Sequence, residues 1–275
     1  MIWLILLLIV PVLLFLFLIF PGHASREARA PFEGRAYAHR GLYTPDQSVP
    51  ENSLPAFRLA VDAGYGAELD VQLTKDHQIV VLHDDDLKRA CGREGSVCDY
   101  TLEELKAFPL FGTEERIPLF SDVLKIFDGR EPLIVELKSA APNVPELCAA
   151  VRQMLAGYNG PACVESFHPE VVRYFRLNDP GRLRGQLSQA ARLWKGKLSV
   201  PVSFVFSRLF LNFRSRPQFI AYGIGPKPWP VRLCGFLGAM KVCWTSAEES
   251  LHEKRMAENN AVIFEGYRPS KGQSR

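Results

Sequence analysis

Between Pro180 and Ala247 the chain has no aspartate or glutamate, and between Met1 and Phe20 it has no charged side chain of either sign. None of its six cysteines, Cys91, Cys98, Cys148, Cys163, Cys234 and Cys243, forms a C-x-x-C pair, which argues against a zinc site or dithiol chemistry. Their scatter suits buried free thiols. Only Cys91 and Cys98 are near enough in sequence for a local disulfide, which would require an oxidising compartment. No glycine-rich phosphate loop follows an early strand, which disfavours a doubly wound nucleotide-binding sheet. The 275 residues, 47% hydrophobic and 23% charged, suit one large domain plus an apolar extension.

The uncharged start matches the ~20 residues that a bilayer-spanning helix needs. Residues 1–21 are therefore expected to be a transmembrane anchor, followed by a polar linker over 22–34. A cleaved signal peptide is the rival, because Ala28-Arg-Ala30 resembles a small-residue cleavage site. Arg26, Arg29 and Arg35 follow the segment and nothing basic precedes it, so the positive-inside tendency favours a cytoplasmic body. The formal charge of +3 hides an asymmetry: the acid-free stretch carries eleven basic residues, from Arg182 to Lys241, interleaved with Trp194, Phe204, Phe210 and Trp229. Such a mixture suits a nucleic-acid backbone, anionic lipid headgroups, or a solvated face over core aromatics. Beside an anchor, membrane lipid is the expected contact; nucleic acid and a protein partner are not expected.

In the body of the chain, apolar strands alternate with helical stretches. Strands are expected at Ala36–Gly41, Gly66–Leu73, Leu133–Lys138, Ala162–Phe167, Leu183–Ser188, Gln218–Tyr222, Met240–Thr245 and Val262–Phe264. Eight strands separated by helices over residues 35–270 fit a (β/α)8 TIM barrel. A helix is expected from Asn52 as N-cap to Gly64, another over Val144–Leu155, and a third over Pro169–Leu177. Residues 84–117 read as a small insertion after the second strand, with Thr101 and Glu104 spaced as a capping box. The stretch 192–217 yields no defined element.

The chemistry centres on Gly66–Asp84. Glu68 and Asp70 alternate with apolar residues, so both carboxylates share one face of a strand. The polar interruption 74–78 is too short for a crossover helix, so Ile79–Leu82 must return antiparallel. With Asp76 and His77 as turn residues, His83 pairs with Asp70. Two close carboxylates need a cation or a proton between them, which makes this a metal site with a titratable neighbour. Glu136 and Lys138 end the third strand on one face, and His39 and Arg40 end the first. In a barrel these ends converge. Three carboxylates without thiolates select one hard divalent cation, Ca2+ or Mg2+. Two histidines suit acid–base work, and Arg40 and Lys138 supply the charge a phosphate requires. Together they point to metal-assisted cleavage of a phosphate ester.

The ordered motifs His39-Arg40-Gly41, Glu51-Asn52-Ser53, Glu68-Leu-Asp70, His83-Asp84, Glu136-Leu-Lys138, Ser166-Phe167 and Trp244-Thr245 resemble those of the glycerophosphodiester phosphodiesterase family. The resemblance implies a TIM barrel with an insertion after the second strand, an ion held by Glu68, Asp70 and Glu136, His39 and His83 as acid and base, and Arg40 and Lys138 on the phosphate. It implies hydrolysis of glycerophosphodiesters to glycerol 3-phosphate and an alcohol, here expected at a membrane surface. Trp244 either stacks on the glycerol or headgroup or is a core tryptophan. The pattern departs at Ser246, where many relatives carry Asn, and at Phe264-Glu265, where they often carry Thr-Asp. Substrate identity is the property these departures touch. Lysophospholipase D or phospholipase C-like activity is the near rival within enzymes, and a non-catalytic membrane-binding barrel is the reading of a different class.

Overall fold

The computed structural model describes residues 2–269; the side chains at 2–6 and 8 lie outside that description. Its strands are β1 (Arg35–His39), β2 (Gly66–Leu73), β3 (Ile79–Val81), β4 (Leu133–Leu137), β5 (Ala162–Ser166), β6 (Arg184–Ser188), β7 (Phe219–Gly223), β8 (Met240–Ser246) and β9 (Ala261–Phe264). They lie in the order β1-β9-β8-β7-β6-β5-β4-β2-β3, and the β1–β2 pairing closes the sheet. All are parallel except β3, which lies antiparallel on β2, so eight parallel strands make the barrel. The TIM barrel expected from the alternation is present.

The period-2 pattern sorts side chains between two cores. Tyr37, Ile134, Cys163, Phe219, Met240, Val242 and Ile263 fill the barrel interior. Leu69, Val71, Val135, Leu137 and Val164 face outward, beneath helices Leu54–Asp62, Phe120–Phe127, Val144–Ala156 and Pro169–Asn178. Each large apolar side chain so buried contributes about 1.5–3 kcal/mol. On β2 this division turns Glu68 and Asp70 inward, where a carboxylate is costly without partners. Gly66 allows the barrel to close: a Cβ there would meet the Tyr37 ring at 2.7 Å and the Pro132 carbonyl oxygen at 2.6 Å.

Two local expectations shift by one residue. The helix after β1 is capped by Ser53, whose Oγ accepts from Ala56 N–H, and not by Asn52. Asn52 sits at φ 56° and donates its side-chain amide to Asp70 Oδ2 at 3.0 Å, a partner sequence alone does not reveal. In the hairpin, Val71 pairs with Val81 and Leu73 with Ile79. The turn spans three residues, closed by Thr74 and Gln78 with His77 at φ 60°, so Leu82 and not His83 lies opposite Asp70. Chain 84–117 forms short helices Lys88–Cys91 and Leu102–Leu105, the second with its Thr101–Glu104 capping box, over a small core of Leu82, Leu87, Ala90, Val97, Leu105, Leu110 and Ile117. The undefined stretch holds helices Val200–Ser207 and Asn212–Ser215. All six cysteines are free, so the Cys91–Cys98 disulfide is not made.

The N-terminal expectation is corrected. Among the described residues no helix is long and apolar enough to cross a membrane, so the single-pass anchor and the membrane placement built on it are not supported. Helix Ile2–Ile19 instead packs its last turns against the barrel's own helices. Ile19 is fully buried with Leu209, Ile220 and Val231, Phe15 stacks on Trp229 at 4.6 Å, and Asn212 donates to the Ile19 carbonyl at 2.9 Å. The segment expected as a polar linker continues this docking: Ala24 and Phe32 are buried in the interior cluster, and Phe32 O accepts from Tyr37 Oη. The basic residues of the acid-free stretch do not form one stripe. Arg184 is buried against Gln218, Arg214 pairs with Glu170, and Arg216 donates to the carbonyls of Phe17 and Phe20.

Candidate active site

The carboxyl ends of β1, β2 and β4 meet at one end of the barrel. Glu68, Asp70 and Glu136 are buried, and each offers an oxygen within 4.8 Å of the others. Lys138 lies across them, its Nζ 3.1 Å from Glu136 Oε1 and 3.4 Å from Asp70 Oδ1. Arg40, held at φ 55° before Gly41 (φ 79°), brings its Nε 3.7 Å from Asp70 Oδ2 and its backbone N–H 3.4 Å from Glu68 Oε2. Gly41 is required there, since a Cβ would meet the Ala56 backbone at 2.9 Å.

The electrostatics follow from this arrangement. Burial alone would raise Asp70, but Lys138, His83 and Arg40 outweigh it and hold its carboxyl well below the usual range. Glu68 has no such short ion pair; burial first, then the charges of Asp70 and Glu136, push it well above the carboxylate range. Glu136 is raised by burial and by Asp70, against the pull of Lys138. Three carboxylates so close require a proton in the metal-free protein, and a divalent cation fits the place of that proton. The donors are oxygens throughout, the set a hard cation takes.

His39 ends β1 with its Nδ1 2.6 Å from Glu265 Oε2, an oxygen that also accepts from Tyr43 Oη at 3.1 Å. Its Nε2 faces the cluster, 3.8 Å from Glu68. Burial lowers this imidazole's pKa against the opposing pull of Glu265. His83 is placed near Asp70 and Glu136 despite the shifted register, because the chain leaves the ladder after β3. Its Nδ1 lies 2.7 Å from Asp84 Oδ1. Both imidazoles thus have Nδ1 on a carboxylate, which leaves each Nε2 free for chemistry.

Trp244 lies on β8 at the other side of the mouth, edge-on to Phe167 at 5.5 Å, and Phe167 is edge-on to Trp194 at 5.3 Å. Neither indole N–H has a partner among the described residues. Ser246 is not part of this wall: its Oγ bonds Tyr267 Oη at 2.7 Å and accepts from Arg255.

Sequence reasoning missed Glu265, Tyr43, Arg89 and Glu165. Glu165, in register with Glu136, is fully buried with neither oxygen partnered among the described residues, and burial and neighbouring acids raise it well above the usual range. A lone acid inside an apolar strand was its only signal. Glu265 had one too, as a departure from the family pattern.

The glycerophosphoryl diester phosphodiesterase family model matches residues 39–264. A glycerophosphodiester phosphodiesterase of Caldanaerobacter subterraneus is 38% identical over 130 residues, covering 44% of this chain and 52% of that protein. A lysophospholipase D of Homo sapiens is 31% identical over 158 residues, covering 53% and 48%. The chain therefore spans about half the length of these relatives. A phosphodiesterase of Oleispira antarctica, solved with the product sn-glycerol-3-phosphate, superposes with a TM-score of 0.68 at 23% identity, covering 86% of this chain and 94% of that one. A putative glycerophosphoryl diester phosphodiesterase of Silicibacter pomeroyi gives 0.67 at 21%, covering 91% and 93%. At such identities these structures show the shared fold.

Proposed function

The chain belongs to the glycerophosphoryl diester phosphodiesterase family, and on that premise we propose that it hydrolyses glycerophosphodiesters to glycerol 3-phosphate and an alcohol. The observation that carries this is the convergence of Glu68, Asp70 and Glu136 within 4.8 Å, between two histidines and two fixed cations. Those three carboxylates would hold one Ca2+ or Mg2+. Bound there, the ion supplies stabilisation of charge developing on the phosphoryl oxygens.

The chain's own groups do the rest. Arg40 and Lys138 orient the phosphodiester by its two unesterified oxygens. One histidine takes the proton of the glycerol 2-hydroxyl through Nε2 as that oxygen attacks phosphorus. The other gives a proton to the alcohol oxygen as its bond to phosphorus breaks. Water then opens the cyclic phosphate, with the two proton transfers reversed. Glu265 and Asp84 would hold the rings through Nδ1, and the Nε2 of His39 lies 3.8 Å from Glu68.

A second substrate class is favoured by the wall of Phe167, Trp194 and Trp244 and by Leu193, Val200 and Phe204, which are exposed on the segments behind it. A lysophospholipid carries the same 2-hydroxyl and phosphodiester, and its acyl chain suits such a wall. Incubation with glycerophosphocholine or lysophosphatidylcholine, in Ca2+, Mg2+ or chelator, tests both readings. Metal-dependent release of glycerol 3-phosphate supports the first and lysophosphatidate the second. Choline release in neither case removes the proposal.

A further inference from the structure

Arg89 sits outside the barrel, on the one-turn helix Lys88–Cys91 of the inserted segment, with a side chain 46% exposed. An arginine so placed is ordinarily a solvated charge whose ion pairs add little. Here every guanidinium nitrogen is engaged, and by two different carboxylates. Nε and Nη2 donate to Asp84 Oδ2 and Oδ1 at 2.6 and 3.0 Å, while Nη1 and Nη2 donate to Glu51 Oε2 and Oε1 at 3.2 and 2.6 Å. The guanidinium carbon also lies 5.3 Å from the centroid of the Phe111 ring, within the same inserted segment.

Both carboxylates lead to the reacting centre. Asp84 holds Nδ1 of His83 at 2.7 Å, and Glu51 Oε1 accepts a second hydrogen bond from Arg40 Nη1 at 2.8 Å. The line His83–Asp84–Arg89–Glu51–Arg40 therefore runs from a proton-transfer group to a phosphate-binding group, around the three acids that would hold the ion. Glu51 is buried, so its orientation is set by its two arginines. Without Arg89, among the described residues the Asp84 carboxylate keeps only its histidine and the Glu51 carboxylate only Arg40, and this hydrogen-bonded line between the two ends is cut. A lysine has one ammonium and reaches one carboxylate, not two in fork geometry.

We infer that Arg89 is a positioning residue that fixes His83 and Arg40 relative to each other, so that the inserted segment belongs to the reacting geometry. Its effect on turnover rests on the phosphodiesterase reading above. Misplacements of about 1 Å at a reacting centre cost up to ~10²-fold in rate, so losing the tie should be visible in both arms.

The test compares Arg89→Met and Arg89→Lys with Glu51→Gln and Asp84→Asn, each checked for folding by thermal melting. With glycerophosphocholine, Arg89→Met is expected to lower kcat and raise KM, each about tenfold. Asp84→Asn should act chiefly on kcat and Glu51→Gln chiefly on KM, and Arg89→Lys should recover one arm at most. If Arg89 merely staples the insertion, Arg89→Met lowers Tm and leaves kcat and KM at wild-type values, which overturns the inference. Long-range 1H–15N spectra of the His83 ring decide the matter without turnover. Wild type should show a single Nδ1–H form and Arg89→Met a mixture of tautomers; an unchanged ring overturns the inference. If the wild type hydrolyses no glycerol diester, the functional reading fails, and the ring spectra still judge Arg89.

Discussion

Around the mouth of the barrel, the ends of β1, β2 and β4 carry Arg40, Asp70, Glu136 and Lys138, tied to one another by ion pairs of 3.1–3.7 Å, with Glu68 beside them on the Arg40 backbone N–H at 3.4 Å. The ends of β5, β6 and β8 lead instead to Phe167, Trp194 and Trp244, packed edge to face, with two indole N–H groups that have no partner among the described residues. In the first half Asp70 and Glu136 are each compensated by a neighbouring cation, and removing one partner leaves the other with the full desolvation cost. The second half has no such constraint, since ring contacts tolerate many neighbours. On the proposed reading, the contrast separates breaking the phosphodiester from accommodating what leaves.

The largest expected effects come from the polar half. His39→Ala and His83→Ala should each lower kcat about 10²–10⁴-fold with Tm near wild type, and near-normal turnover in either would erase the division of labour. Chelation, or Asp70→Asn, should remove activity, and Ca2+ or Mg2+ should raise Tm of the metal-free protein. The sign of its pH dependence follows from Glu68, whose folded pKa is raised by burial and by its acidic neighbours. Its carboxyl keeps a proton above the unfolded value of about 4.3, and the ion must displace that proton. The Tm gain should therefore be larger at about pH 8 than at about pH 5, and a gain independent of pH would contradict the site.

The aromatic half should respond more weakly and selectively. Trp244→Ala and Trp194→Ala are expected to raise KM for lysophosphatidylcholine about tenfold while moving KM for glycerophosphocholine by about twofold or less. Equal changes for both substrates would mean the wall is core and not a binding surface. The smallest effect is on stability. Burial alone would raise Asp84 and Glu51, but hydrogen bonds from His83 and Arg89 to the first, and the charges of Arg89 and Arg40 on the second, hold both below the usual range. Stabilisation from depressed acids is fully present above their unfolded values of about 4 and is lost as pH falls through the folded ones. Arg89→Met should therefore cost about 1 kcal/mol near neutral pH, discounted for the exposed arginine, and almost nothing in acid. Denaturant titrations at both extremes check it, and a cost that grows in acid would contradict the network.

Much of the polar half was legible in the sequence, because strand periodicity fixes which side chains share a face. Glu68 with Asp70, and Glu136 with Lys138, needed only a spacing of two and a parallel barrel to converge. The hairpin register differs from the expectation because a three-residue turn with His77 at φ 60° stands where the spacing suggests a two-residue one. Asn52 suits a helix cap by its type as well as Ser53 does; only the fold shows that its amide serves Asp70 while Ser53 caps. Glu265 is 226 residues from His39, and no local pattern links them. The N-terminal run resembles an anchor by hydropathy, which does not distinguish a helix in lipid from one whose last turns pack on Leu209, Ile220 and Val231.

By itself the sequence determined the barrel, the face on which its acids gather and the hard character of the ion they suit, because these depend on alternation and residue type over short stretches. Which carboxylate holds which imidazole, how Arg89 reaches Glu51 across 38 residues, and where the first helix lies were decided only by the tertiary structure. Those contacts join side chains distant in sequence, and their geometry exists only once the strands have closed.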